Sequence, residues 1–377
     1  MTTRVASHAG SWYSSRGTTL SNELDKWLAQ VSASIGGTQL PVPGARIIIA
    51  PHAGYSYSGP AAAWAYKSLD LSNAKRIFLL GPSHALYLPG CATSKHGKYA
   101  TPLGDLIIDT VTVKELQDTG KFDKMSTNAD ETEHSLEMHL PYIYKMLSQS
   151  FKSAAEYPPL VPILVGNTNA DAEKSYGKIL APYLADPTSV FVVSSDFCHW
   201  GLRFQYTYYL PASPSSAAVS SDGGYSLKKR DKDPTNPPIH ESIGRLDKLA
   251  MDAIETGKHD EFLGNLRETG NTVCGRHPIG VMMAAIEVLE KEGKVEGQEK
   301  GKFKFVRYER SSEVEEISDS LDTILGDSGF EAKNPDGYMM AIPLNSLPRK
   351  PGREIFRDLT ASHVHWRGWK TFSGPGP

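Results

Sequence analysis

Cysteine is scarce in this 377-residue chain: Cys91, Cys198 and Cys274 are all there is, an odd and widely spaced set. That excludes a disulfide framework. It points to a reducing compartment inside the cell, the cytoplasm or also the nucleus, where a thiol stays free to bind metal. Excess charge of one sign is lacking too. A formal net charge of −3, from 40 basic and 43 acidic residues, leaves no electrostatic footprint for nucleic acid or an anionic membrane. No apolar run approaches the roughly 18 residues a membrane span needs. The start, Met1-Thr2-Thr3-Arg4, lacks the apolar stretch of a signal peptide. Walker A, Rossmann, Gly-x-Ser-x-Gly and HExxH sequences are missing, so nucleotide and serine-hydrolase readings drop out. There is no internal repeat.

What is present is an ordinary globular balance, 40% hydrophobic and 22% charged, in which strand and helix patterns alternate. Leu20, Leu24, Trp27, Leu28 and Val31 share one face of a helix expected over Thr19–Ser32. Strands are expected at Arg46–Ala50, Arg76–Leu80, Leu160–Val165 and Ser189–Ser195, with an edge strand at Lys302–Tyr308. Pro60 is expected to open a helix to Leu69, which makes the first two strands a parallel βαβ unit. Leu106–Ile108 and Val111–Val113 read as extended, Lys114–Asp118 as a short helix, and Glu137–Leu147 as a helix interrupted at Pro141. Further helices are expected at Ala170–Leu184, Ile243–Thr256, Asp260–Glu268 and Pro278–Glu290. The expected fold is a single α/β domain over residues 1–320, a central mostly parallel sheet flanked by helices. Ala212–Pro238 is read as a solvated loop insertion, its Lys228-Lys229-Arg230 cluster included. Residues 321–377 are read as a largely disordered tail in which Trp366 and Trp369 mark a docking segment.

Three of the expected strands deliver a histidine: His52 follows the first, His84 the second, and His199 follows Ser189–Ser195. Carboxyl ends of parallel strands share one edge, and ligands bind in the crevice outside it. A third ligand to accompany His52 and His84 is Cys274, just before the helix at Pro278, where the positive helix end favours thiolate. Its alternative is a small buried cysteine packing as a hydrophobe. A His/His/Cys set suits Cu(I), Fe(II) or Zn(II). Asp196 and His199 read as groups that orient the ligands or carry protons beside a metal, with an N-cap role for Asp196 as the alternative. Cys198 reads as structural. Glu133 to Pro141 packs Glu133, His134, Glu137 and His139 together. His139 is a candidate proton shuttle, against a plain polar helix start capped by Ser135.

His8-Ala9-Gly10-Ser11-Trp12-Tyr13, Ile49 to Tyr55, Leu80 to His84, Glu133 to Tyr142, Val193 to Gly201 and Asn271 to Gly280 resemble the Memo family in order, over roughly Arg4 to Ser312. The resemblance implies a fold like the class III extradiol dioxygenases, non-haem iron enzymes that use two histidines and a glutamate. It implies His52, His84 and Cys274 as the metal residues, cysteine standing where those enzymes have the carboxylate, with Asp196 and His199 lining the pocket. It implies copper or iron, Cu(I) or Fe(II), redox activity, and a link to cell motility and cytoskeletal signalling downstream of receptor tyrosine kinases. The alternatives it carries are a phosphotyrosine-peptide adaptor and an extradiol dioxygenase acting on a catechol-like substrate. Trp12 and Tyr57, with Glu137, are the substrate- or peptide-binding residues it implies. The chain departs from the family pattern in its longer 212–238 loop. In place of a closing Ser/Tyr/Ala-rich strand it has unrelated sequence beyond Ser320.

Overall fold

Runs of apolar residues too short for helices form the centre of the molecule, a computed structural model. It describes residues 2–35, 37–212, 221–294, 301–310, 313–319 and 337–343, the last as a strand backbone. Ile47–Ala50 (β1), Arg76–Pro82 (β2), Cys91–Thr93 (β3), Phe122–Lys124 (β4), Leu160–Val165 (β5), Ser189–Ser194 (β6), Phe303–Arg310 (β7) and Gly337–Pro343 (β8) make one eight-stranded sheet. Across it the order is β7-β8-β1-β6-β2-β5-β3-β4. The central four, β1, β6, β2 and β5, are parallel. Antiparallel pairing appears where β3 meets β5 and where β8 meets β1 and β7. Every residue of β1, β5 and β6 is buried, as strands covered on both faces require. β1 and β2 are parallel as expected, but β6 lies between them.

The helices are Gly17–Gln30 (α1), Tyr55–Ser68 (α2), Thr110–Asp118 (α3), Thr127–Thr132 (α4), His134–Glu137 (α5), Leu140–Ser150 (α6), Ala170–Ala185 (α7), Ile239–Glu255 (α8), His259–Thr269 (α9) and Arg276–Lys291 (α10). One group packs α2 over β1 and β8 with α1 and α6 against it, and another packs α7 against α10 over β2 and β6. A small sheet of Thr3–Arg4, Lys98–Thr101 and Gly104–Ile107 ties the amino terminus down.

Several elements differ from the local pattern, each for a physical reason. α2 begins at Tyr55, five residues before Pro60. The carbonyl that proline leaves without a helical donor belongs to Ser56, an exposed residue, so water can serve it. Val111-Thr112-Val113 is helical, not extended, because Asp109 caps α3: its carboxylate accepts the Thr112 N–H at 2.9 Å and the Thr112 hydroxyl at 2.8 Å. The helix expected over Glu137–Leu147 is broken at Met138–His139, and Pro141 stands just beyond, in the first turn of α6, where its missing N–H has no helical partner.

Within the 212–238 loop, Tyr225–Ser226 pairs with Tyr208–Tyr209, and Leu227 is buried with Cys198, Trp200 and Ile239, so that part is not a free insertion. Lys228, Lys229 and Arg230 are exposed, and residues 213–220 lie outside the described residues. A strand missing from the expected fold is supplied by the tail: β8 inserts between β7 and β1, Ala341 opposite Ile49. Trp366 and Trp369 lie outside the described residues.

Phe78 and Phe191 are in register on β2 and β6, and their rings stack at 4.6 Å and 7°. Both are fully buried. Phe191→Ala removes one ring from the middle of the sheet, so unfolding in urea should lose about 3–5 kcal/mol. An unshifted urea midpoint would show that this stack carries none of the core's stability.

Candidate metal centre

Ser194 pairs with Ala50 and Val193 with Leu80, so β1, β6 and β2 end together and their following loops meet at one edge. His52, one residue past Pro51, is 1% exposed. Its backbone N–H donates to Asp196 Oδ1 at 3.0 Å, and its Nδ1 lies 2.5 Å from Ser194 Oγ. The Ser194 hydroxyl spends its only proton on the Ser135 carbonyl, at 2.8 Å. The proton between His52 and Ser194 therefore sits on Nδ1, and Nε2 keeps a bare lone pair. That Nε2 stands 3.2 Å from Cys274 Sγ and 3.7 Å from Asp196 Oδ2.

His84 is oriented by a different device. Its Nδ1 donates to Glu133 Oε1 at 2.9 Å, which also accepts the Ser135 N–H at 3.0 Å. The backbone N–H groups of His84 and Ala85 reach Glu133 Oε2 at 2.6 and 3.2 Å. Again Nε2 is the nitrogen left bare. The His52 and His84 rings are 5.2 Å apart, and one donor atom from each of His52, His84 and Cys274 lies within 4.8 Å of the others. His84, Glu133 and His134 also converge. Four donors already fill the fully buried Glu133 carboxylate, however, so its part is to hold His84.

The electrostatics suit neutral ligands. Burial, then the neighbouring imidazoles of His84, His134, His139 and His199, hold His52 well below the usual histidine range. Burial alone would raise the Glu133 carboxyl, but the His84 hydrogen bond, the charges of His84 and His134 and the Ser135 N–H together outweigh it and hold the group low. Cys274 arrives one residue before Gly275, the N-cap of α10. A Cβ on Gly275 would stand 2.3 Å from Ser195 Cβ and 2.4 Å from the Ser194 carbonyl, so only glycine lets this helix end approach β6. The Asp196 N–H donates to Cys274 Sγ at 3.2 Å.

Of the residues expected from sequence, His52, His84, Cys274 and Asp196 come together. His199 is held by Thr272: its N–H donates to Thr272 Oγ1 at 2.7 Å, and its Nδ1 lies 3.3 Å from the Thr272 carbonyl. Trp12 tilts over His134 at 4.6 Å, and half-buried Tyr57 packs on Ala53 and Ala61.

Two other expected residues lie behind the site, sealed from solvent. His139 is fully buried, its Nδ1 2.7 Å from the Tyr66 hydroxyl, and burial pushes it down to about 3; it is a neutral core group without the solvent path a shuttle needs. Glu137 is also fully buried and its oxygens are occupied by His8, Tyr13 and Arg4, so it orients neighbours instead of touching a ligand. Ser135 is not a cap; Glu133 caps α5. Cys198 is buried among apolar side chains, as expected. Ser194 and the rings of His8 and His134 were not singled out from sequence. His8 and His134 did lie inside conspicuous motifs, whereas nothing local distinguishes Ser194 from its neighbours.

One buried carboxylate ties the two loops behind the site. Asp247 on α8 accepts the Cys198 N–H at 3.0 Å and the Asn271 side-chain amide at 3.2 Å on Oδ1, and the Tyr308 hydroxyl at 3.0 Å on Oδ2. Burial pushes its carboxyl up from 3.8 to about 6 against those hydrogen bonds.

A family model described as Memo-like protein matches residues 4–324. Protein MEMO1 of Homo sapiens is 44% identical over 317 residues, which is 84% of this chain and 94% of that protein. The memo-1 homolog of Caenorhabditis elegans is 40% identical over 318 residues, 84% of this chain and 80% of its own. Among solved structures, an uncharacterized protein from Escherichia coli K12 aligns with a TM-score of 0.40 and 12% identity, over 78% of this chain and 99% of that one. A likeness that distant carries no argument here.

Because Asp247 takes up its proton more readily folded than unfolded, its contribution to stability is complete below about pH 4 and is lost as pH rises through about 6. Asp247→Asn cannot lose that proton. Between pH 4 and 7 the wild type should therefore fall relative to the variant by on the order of 3 kcal/mol in urea unfolding. Parallel pH profiles for the two proteins would show that Asp247 titrates alike in both states.

Proposed function

This chain belongs to the Memo-like family, and from that footing we propose that it is a metal-binding protein whose copper or iron, held by His52, His84 and Cys274, carries redox chemistry. The observation that supports this is the tautomer pattern. Ser194 and Glu133 each take the Nδ1 proton of one histidine, so both imidazoles turn a bare Nε2 toward the same thiol. A set built only for packing would not need both protons held on the far side.

The residues fit such an ion. Two neutral imidazoles and a thiol make a donor set of one soft and two intermediate ligands, which suits Cu(I) or Fe(II). When bound, such an ion would supply one-electron redox chemistry. The chain does the rest. The start of α10 and the Asp196 N–H would stabilise a metal-bound thiolate at Cys274, whose thiol otherwise donates to the Asp196 carbonyl at 3.4 Å. Asp196, 3.7 Å from His52 Nε2, can take or return a proton near the ligands, and His199 is the second such candidate. A place in cell motility and cytoskeletal signalling remains what family resemblance implies.

A second reading, capture of a phosphotyrosine-containing peptide, draws on the pocket's rim. Trp12 lies against His134, and past His84 the side chains of Leu86 and Tyr87 are exposed, Tyr87 by 77%. Peptide affinity that survives chelation and falls in Trp12→Ala would favour this reading; affinity lost on chelation would count against it.

Protein prepared without oxygen and assayed by elemental mass spectrometry should hold one copper or iron per chain, and Cys274→Ala should hold none. Glu133→Gln leaves the ligands in place but frees the His84 ring, so its affinity should fall by about 10–100-fold. No metal in any of the three, and no tight Cu(I) or Fe(II) titration, would sink the metal reading.

A further inference from the structure

A second imidazole–carboxylate pair stands beside the metal residues, and nothing above gives it a task. The backbone N–H of His8 donates to Glu137 Oε1 at 2.8 Å, and its Nδ1 lies 2.8 Å from Glu137 Oε2. Glu137 also accepts the Tyr13 hydroxyl at 2.7 Å and pairs with Arg4 Nη1 at 2.7 Å. Arg4 and Glu137 are both fully buried, and Arg4 reaches Asp130 as well, at 3.2 Å. Burial alone would raise the Glu137 carboxyl, but the His8 hydrogen bond and the Arg4 charge outweigh it and hold it below its ordinary range. An ionised carboxylate can only accept, so the shared proton belongs to His8 Nδ1 and Nε2 is left as a base.

The ring is placed to use that base. Its side chain is 14% exposed while its partner is sealed, so the edge away from Glu137 is the accessible one. It stands edge-on to Trp12 at 5.5 Å and to His134 at 6.0 Å, and His134 stacks on His84 at 4.5 Å and 17°. His8 is thus two ring contacts from a metal residue, along the wall that Trp12 forms. The titratable groups facing it are Glu137 and His134 from α5, and Arg4 and Tyr13 from the amino-terminal segment. Arg4 divides its charge between Glu137 and Asp130. A carboxylate-oriented imidazole with one accessible nitrogen is the arrangement general bases use.

We propose that His8 is the proton acceptor for a hydroxyl-bearing aromatic ligand held against Trp12, with Glu137 as its positioning residue. In the step, the ligand O–H bond breaks, the proton goes to His8 Nε2, and the electron pair stays on oxygen as phenolate. Glu137 balances the imidazolium through the Nδ1–H it already accepts. No oxidant or reductant is consumed. The proposal rests on the metal reading only in that the ligand's other end meets His52, His84 and Cys274.

The test uses the full chain loaded with Zn(II), which is colourless and redox-inert, and 4-nitrophenol, whose absorbance reports its ionisation. His8→Asn is the informative variant, because its amide keeps a donor to Glu137 near the Nδ1 position and lacks the base. Bound nitrophenol should ionise in wild type with an apparent constant at least tenfold above that in His8→Asn, at equal zinc uptake. Equal ionisation in the two proteins would assign the deprotonation to the metal and overturn the proposal, as would a zinc-loaded wild type that binds no nitrophenol. Failure to take up zinc would not touch the copper or iron reading, which the Cu(I) and Fe(II) titrations test. His8-dependent ionisation in metal-free protein would then still uphold the pair, and its absence would overturn it. Long-range proton–nitrogen NMR of the wild type checks the premise without any variant: His8 must carry its proton on Nδ1, and the Nε2–H form would overturn the assignment.

Discussion

The side-by-side termination of β1, β6 and β2 is the constraint on which the rest of the site depends. Parallel pairing sends all three strands out at one edge, and the register brings Ala50 level with Ser194 and Leu80 level with Val193. His52, Asp196 and His84 leave the sheet within two residues of those ends. The fully buried strands cannot slide without moving an entire apolar set, so the loop residues inherit the rigidity of the core. Gly275 extends the same logic to Cys274, since its missing side chain is what lets α10 start against Ser194 and Ser195.

Around that edge, buried carboxylates perform the orienting. Glu133 holds His84, Glu137 holds His8, and Asp247 holds the backbone beside His199 and the side chain of Asn271. Burying a carboxylate is costly unless donors surround it, and each of these three accepts at least three hydrogen bonds. Their electrostatic outcomes differ with what faces them. Glu133 and Glu137 have imidazoles or a guanidinium and are held low; Asp247 meets only neutral donors and is pushed up.

The crowding of imidazoles has a consequence of its own. His52 lies within reach of the imidazoles of His84, His134, His139 and His199, each of which disfavours a proton on it. Burial holds His52, His134 and His139 low, and neighbouring imidazoles add to it at His52 and His134. Imidazole protons held outward by Ser194 and Glu133 are what the proposed metal reading requires of His52 and His84.

Much of this was legible along the chain. Apolar runs bounded by turn residues marked β1, β2, β5 and β6, and the histidines directly after them marked the edge, because strand length and strand-end position are local properties. Cys274 before α10 was legible for the same reason. Local pattern misjudged α2, where an exposed carbonyl absorbs the cost of Pro60, and α3, where a single cap overrides three residues of extended preference. It could not supply β8, whose place depends on pairing with β1 nearly three hundred residues earlier. Nor could it show which nitrogen each histidine exposes. That choice is made by Ser194, Glu133 and Glu137, partners 142, 49 and 129 residues away from the rings they hold. Periodicity and capping over a few residues thus fixed the four central strands and the side chains at their ends, which are local properties. Where each proton sits is settled by folding, because a hydrogen bond has direction and its partner comes from a distant part of the chain.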